Sequence, residues 1–213
     1  MKKKYLLFIL LLSQNVFCQD YVFDKFIEYS EIGRANVVFM FNSKDSTYFF
    51  YAKNFGSDLV GSVIDDGKKM RHFYKMENYK SEIGFIYLHS TTGNQKILPE
   101  SYAKNYYEVQ QTATDSITTF KITRFKNDKK RAVDARSLVT AVKSESKFFP
   151  TIMEYLFNHF PCCQNVILPD NYLPTFAKID FHPGGSISAK LMQFKNIDTR
   201  LLIEKQKIKY LKD

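Results

Sequence analysis

From Tyr21 to Val142 the chain repeats one device: a short run of alternating apolar and polar residues, then a turn of Asn, Asp, Gly or Ser. The runs are Tyr21 to Tyr29, Val37 to Phe41, Thr47 to Lys53, Leu59 to Ile64, Arg71 to Met76 and Gly84 to Ser90, then Tyr106 to Gln111, Ile117 to Phe125 and Leu138 to Lys143. A period of two sends alternate side chains to opposite faces of a pleated strand. The punctuation has its own mechanism, because Asn, Asp and Gly tolerate positive φ and hold tight reversals, as at Asp65-Asp66-Gly67 and Thr92-Gly93-Asn94. Successive runs at this spacing predict an antiparallel meander over residues 20–145. The chain holds 20 Phe, 14 Tyr and no Trp, and such rings suit half-buried pleated surfaces.

One segment breaks the period. Pro150 follows Ser144-Glu145-Ser146 and suits a first helical turn, and Ile152, Tyr155, Leu156, His159 and Phe160 then recur at spacings of three and four before Pro161. This predicts one short amphipathic helix at about 150–160 laid on the sheet. Thr175 to Phe181 and Ser186 to Phe194 flank His182-Pro183-Gly184-Gly185, a hairpin turn. The region 175–213 is read as a C-terminal hairpin, with Arg200 to Leu211 left open between strand and helix. The expected fold is mainly β with a minor α component: an antiparallel meander forming an open or partly closed barrel-like sheet, one helix packed on it. Residues 19–213 are expected to form a single domain.

The N-terminus reads as an address. Lys2, Lys3 and Lys4 precede the apolar run Tyr5 to Leu12, and Val16-Phe17-Cys18 leads to Gln19. This is the layout of a secretory signal peptide over residues 1–18, cleaved near Cys18/Gln19. The apolar run is too short for a bilayer, which needs ~20 residues. Most strand runs are shorter than the ~9–11 residues of a membrane barrel strand. The mature chain is therefore expected to lack a transmembrane segment and to work in the periplasm, on the outer membrane or outside the cell. Cys18 is a candidate for lipidation, although Asn15 and Phe17 fit a lipobox poorly. The whole chain carries 31 Lys and Arg against 22 Asp and Glu; without the three leader lysines, 28 remain against 22, a net +6. That surplus suits solubility or an anionic envelope component, and no nucleic-acid partner is expected.

Residues able to carry chemistry are few. Cys162 and Cys163 are adjacent and His159 stands three residues before them. Thiolates with imidazole form a ligand set for zinc or copper. Neighbours on an extended chain point opposite ways, however, so packing or a vicinal disulfide between Cys162 and Cys163 competes with a metal site. His182-Pro183-Gly184-Gly185 is similar to the haem-binding run of the cytochrome b5 family over four residues, but no histidine follows His182 to supply a second axial ligand. Asp65-Asp66 has the form of a carboxylate pair and is read as a solvated turn. His72 and His89 fall within strand runs and are read as structural. There is no Gly-x-Ser-x-Gly elbow, no His-Glu-x-x-His and no glycine-rich phosphate loop. No cofactor and no catalytic residue are assigned.

Tyr21-x-Phe23-Asp24, Tyr29, Phe41-Asn42-Ser43 and Tyr48, with the short leader and a composition rich in Lys, Asn and Phe, resemble small secreted β-rich proteins of Bacteroidota. That resemblance implies export and no particular activity. The expected function is a non-enzymatic exported protein that binds a hydrophobic small molecule on the concave face of its sheet, or an envelope partner. A thiol- or metal-dependent activity at His159, Cys162 and Cys163 is the alternative, and an adhesive or matrix role is a third.

Overall fold

The computed structural model describes residues 19–31, 36–55, 58–79, 82–92, 106–127, 129–130, 132–145, 147–156, 169 and 171–203. Residues 1–18, Cys18 among them, together with His159, Cys162 and Cys163, lie outside them. Eleven strands form one antiparallel sheet: β1 (Asp20–Glu31), β2 (Val37–Phe41), β3 (Tyr48–Phe55), β4 (Asp58–Asp65), β5 (Met70–Tyr79), β6 (Glu82–Thr92), β7 (Tyr106–Ala113), β8 (Thr118–Phe125), β9 (Val133–Lys143), β10 (Tyr172–Phe181) and β11 (Ser186–Leu202). One helix, α1 (Phe149–Leu156), interrupts them. No described helix is long and apolar enough to cross a membrane.

The expected meander is present, but as two. Strands run β6-β5-β4-β3-β2-β1-β11-β10-β9-β8-β7, so the first and last strands meet in the middle of the sheet. β1 pairs with β11 from Asp20↔Leu202 to Glu31↔Ala189. The stretch after Arg200 is therefore strand up to Leu202, continuing the 17-residue β11. The His182-Pro183-Gly184-Gly185 turn joins β10 to β11, with Gly185 at φ 95°, where a Cβ would be strained.

Both faces of the sheet carry a core. All five residues of β2 are buried. Val37, Phe39 and Phe41 face one cluster, and Val38 and Met40 the other. In β1 a register shift between Phe23 and Lys25 reverses the parity. Tyr21 and Phe23 thus share a face with Phe26, while Ile27 and Tyr29 look the opposite way. The first core spans β1 to β4 and β7 to β11 and is filled by α1, whose Phe149, Ile152 and Met153 are fully buried. Phe41 stacks on Phe148 at 4.0 Å, and Phe49 meets Tyr155 edge-on at 4.8 Å. The second core lies between β1 to β6 and the end of β11, where Leu201 and Ile203 cover it. Phe50 is central there, and it packs where Gly61 has no side chain: a Cβ on Gly61 would lie 2.0 Å from the Phe50 Cζ.

Candidate functional site

Among the described residues, the end of β11 borders the second core, and a groove of about 450 Å³ lies there. Tyr74, Phe85 and Tyr87 of β5 and β6 form one wall, and Arg200 to Ile203 form the other. Parity places the side chains. Tyr74, Tyr87 and Phe85 pack on the same core as Leu201 and Ile203. The Tyr74 hydroxyl crosses the gap and donates to the Leu202 carbonyl at 3.1 Å. Phe85 meets Phe50 edge-on at 5.4 Å and Tyr87 meets Tyr74 at 5.5 Å, which fixes the rings of the wall.

Behind that wall runs a chain of polar groups drawn from four strands. Tyr87 Oη lies 2.7 Å from Ser90 Oγ, Ser90 Oγ contacts His72 Nδ1, His72 Nε2 lies 2.9 Å from Tyr21 Oη, and Tyr21 donates to Asp65 Oδ2 at 2.6 Å. The proton positions follow from the far end. Asp65 collects donors: the Lys68 backbone N–H at 2.8 Å, Gln19 Nε2 at 3.3 Å, the Lys68 ammonium at 3.6 Å and the Tyr21 hydroxyl. It acts as an acceptor, so Tyr21 spends its proton there and accepts from His72 Nε2–H. Neutral His72 then accepts at Nδ1 from Ser90, and Ser90 accepts from Tyr87. Every hydrogen bond in the row points toward Asp65.

The row is sealed. His72 and Ser90 are 0% exposed, and Asp65 is 3% exposed. Burial pushes the His72 imidazole down to about 4, with Asp65 opposing the shift and Lys68 adding to it. Burial, followed by the hydrogen bond and charge of Asp65, raises the Tyr21 phenol far above its usual range. A serine bonded to an imidazole has the makings of a nucleophile, but this one has no exposed surface.

Asp65-Asp66 corrects the solvated-turn reading. The turn is there, yet Asp65 points into the second core while Asp66 lies beyond it. Burial, and then Asp65, raise the Asp66 carboxyl; burial and Asp66 raise Glu154 of α1. His72 and His89 lie in strands as expected, His89 stacked on Phe73 at 4.8 Å. His182 sits in the β10–β11 turn, its N–H bonded to the Asp134 carbonyl at 2.9 Å. The Cys162, Cys163 and His159 candidates fall outside the described residues. Among those described, no three His, Cys, Asp or Glu side chains converge on a common point. Sequence reasoning missed Tyr21, Ser90 and Tyr87. Their signal was faint: polar atoms at core-facing positions of apolar strands, with partners dozens of residues away.

A second depression of about 500 Å³ is bounded by Lys25, Ser43, Lys143, Ser144, Glu145 and Phe194 and has a mostly polar lining. It puts two lysines beside one aromatic ring.

No family model and no curated protein matches the chain. Among solved structures it is similar to PNGF-II, at 11% identity and a TM-score of 0.38, over 89% of this chain and 31% of that one. The chain thus spans under a third of that protein's length. It is also similar to a beta-barrel-like protein of domain of unknown function DUF1849 from Brucella abortus, at 12% identity and a TM-score of 0.29, over 85% of this chain and 98% of that one. Both are distant likenesses.

Proposed function

We propose that the protein is an exported, non-enzymatic binding protein that takes an apolar ligand into the groove between β5–β6 and the end of β11. The observation that carries this is the contrast between the two cores: the helix packs into one, and among the described residues the other keeps a groove of about 450 Å³ lined by Tyr74, Phe85 and Tyr87. That volume lies within the ~300–1,000 Å³ typical of ligand sites. A buried methylene contributes about 0.8 kcal/mol, so a chain of eight carbons supplies about 6 kcal/mol before the cost of association. Tyr74 and Tyr87 are held by hydrogen bonds, which lowers the ordering cost of binding at their rings. The leader-like residues 1–18 support export.

Titration with the neutral dye N-phenyl-1-naphthylamine tests the groove. Saturable fluorescence enhancement is expected, weakened at least tenfold in Phe85→Asp with an unchanged far-UV circular dichroism spectrum. Absence of saturable binding, or equal binding by Phe85→Asp, refutes the assignment. Intact mass of the native protein tests export: a chain beginning at Gln19 is expected, and retention of residues 1–18 refutes it. An acylated mass beginning at Cys18 supports export by the lipoprotein route.

A further inference from the structure

The half of the sheet away from the groove carries a second, polar depression on its outer face. Phe120 and Ile122 of β8, Ala135 and Val139 of β9, and Ala177 and Ile179 of β10 point into the first core. Alternation therefore turns Lys121, Thr123, Arg136, Leu138 and Asp180 to the opposite face. There, with Gln110 of β7, they border a depression of about 330 Å³ floored by the strands at Ile122 and Ser137. We propose that this depression binds a phosphate monoester, held between Arg136 and Lys121. The inference is independent of the groove.

Strand register builds the site. Lys121 lies opposite Leu138 on one side and Gln110 on the other, and Arg136 lies opposite Thr123 and Asp180. Lys121 and Arg136 are thus diagonal neighbours on adjacent strands, about 7–8 Å apart at the backbone. Both long side chains can reach one phosphate between them. Arg136 brings a planar fork that matches two phosphate oxygens, and Lys121 brings a point charge for the third. The Gln110 amide and the Thr123 hydroxyl add uncharged donors at the rim. Leu138 is 39% exposed in the same depression and offers apolar surface to the body that carries the phosphate.

The charge balance of this face selects the anion. Asp180 is held by Lys178 at 2.8 Å, and Glu108, two residues before Gln110, is held by Lys130. Each carboxylate of the neighbourhood thus has its own lysine. Among the described residues no ion pair takes up Lys121 or Arg136. Two uncompensated cations at one depression match a dianion. A phosphate monoester carries about −1.5 to −2 near neutral pH and three acceptor oxygens, whereas a carboxylate or a sulfate ester leaves one cation unmatched. The volume is near the lower end of the ~300–1,000 Å³ of ligand sites, which suits a phosphorylated sugar or the headgroup of a phosphorylated lipid.

Two arms distinguish those sources. Calorimetric titration of the purified chain with glucose 6-phosphate tests the free ester, and flotation with phosphatidylcholine vesicles containing phosphatidic acid tests the lipid. Saturable binding is expected in at least one arm, with none to glucose or to pure phosphatidylcholine. Both cations are exposed, so raising the salt from about 50 to 200 mM is expected to weaken binding severalfold. Arg136→Gln and Lys121→Gln are each expected to weaken it about tenfold or more with an unchanged far-UV circular dichroism spectrum. Lys190 alternates with Ala189 and Leu191, so it shares this outer face but lies outside the depression. Lys190→Gln is expected to leave binding unchanged. No binding in either arm overturns the site. Equal weakening by Arg136→Gln and Lys190→Gln overturns it too, since that marks diffuse attraction to a basic surface. Dye binding at the groove is read separately: its failure leaves this site standing, and failure of this site leaves the groove.

Discussion

The two halves of the sheet solve the same problem in different ways. Around the first core a helix supplies apolar surface, and its Phe149, Ile152 and Met153 are fully buried. Around the second core the end of β11, paired with β1, faces β5 and β6 across the groove. The polar groups follow the same division. The helix-covered face buries an ion pair, Lys53 to Glu31 at 2.8 Å, both residues under a tenth exposed. The grooved face buries a hydrogen-bonded row that ends at the Asp65 carboxylate. One face thus compensates a buried carboxylate with a buried lysine, the other with hydrogen bonds and an exposed lysine.

The sharpest way to break this comparison is to remove one member of the ion pair. Lys53→Ala leaves Glu31 buried without its cation, and the expected loss is about 3–5 kcal/mol in urea unfolding. Replacing both, as Lys53→Met with Glu31→Leu, is expected to return stability to near the parent, because the desolvation penalty leaves with the charges. Dye binding at the groove is expected to survive in the double variant. If the double variant is as unstable as the single one, the pair is more than a compensated charge and the contrast between the two cores fails.

The second effect belongs to the grooved half. His72 titrates near 6.5 when unfolded and at about 4 when folded. Between those values the unfolded chain binds more protons, so unfolding free energy rises with pH across that window and is flat above it. Full titration amounts to about 3 kcal/mol at 1.36 kcal/mol per unit, lost as the pH falls from 6.5 to 4. Urea midpoints at pH 7 and 4.5 should show most of that loss in the parent and a shallower slope in His72→Gln. Equal slopes would mean that other groups govern acid stability and that the row is not the acid-sensitive element.

Much of the architecture was legible because strands, turns and the helix are written locally. Alternation placed most strands to within a few residues, although β9 starts at Val133 rather than Leu138 and β11 runs on past Phe194 to Leu202, and the spacing of Ile152, Tyr155 and Leu156 placed the helix. The pairing of β1 with β11 was not legible: it joins residues about 180 apart, and no local pattern specifies a partner at that distance. The double core had a visible sign in Val37-Val38-Phe39-Met40-Phe41, since an unbroken apolar strand is buried on both faces. Read alone it was one more strand. The row from Tyr87 to Asp65 stayed hidden because its members sit on β1, β4, β5 and β6 and meet only after the sheet curls. His72 was correctly placed in a strand, but its partners are products of the register, which pairs it with Val63 and Ser90.

The smallest expected effect concerns the two edges of the sheet, one in each half. β7 is guarded: Glu108 and Lys130 form an ion pair over Tyr106, whose ring lies 4.7 Å from the ammonium. Among the described residues β6 has no such ion pair over its edge. Ile83 to Ser90 contains no charged residue and no proline, and Ile83, Ile86 and Leu88 are 39%, 47% and 38% exposed. Among the described residues β6 pairs with β5 alone. The bulge that leaves Leu88 without a ladder partner twists this edge, which lowers its adhesiveness without removing it. Ile86 lies on the face away from the groove, beside Lys75, so a lysine there adds charge without entering either core. Ile86→Lys is expected to change stability by less than about 0.5 kcal/mol. It is expected to suppress concentration-dependent association in sedimentation velocity while leaving dye affinity alone. If parent and variant sediment identically at every concentration, the twist at Leu88 already protects β6 and the two edges are equivalent. If Ile86→Lys weakens dye binding, the groove wall depends on the edge strand's outer face as well as its inner one.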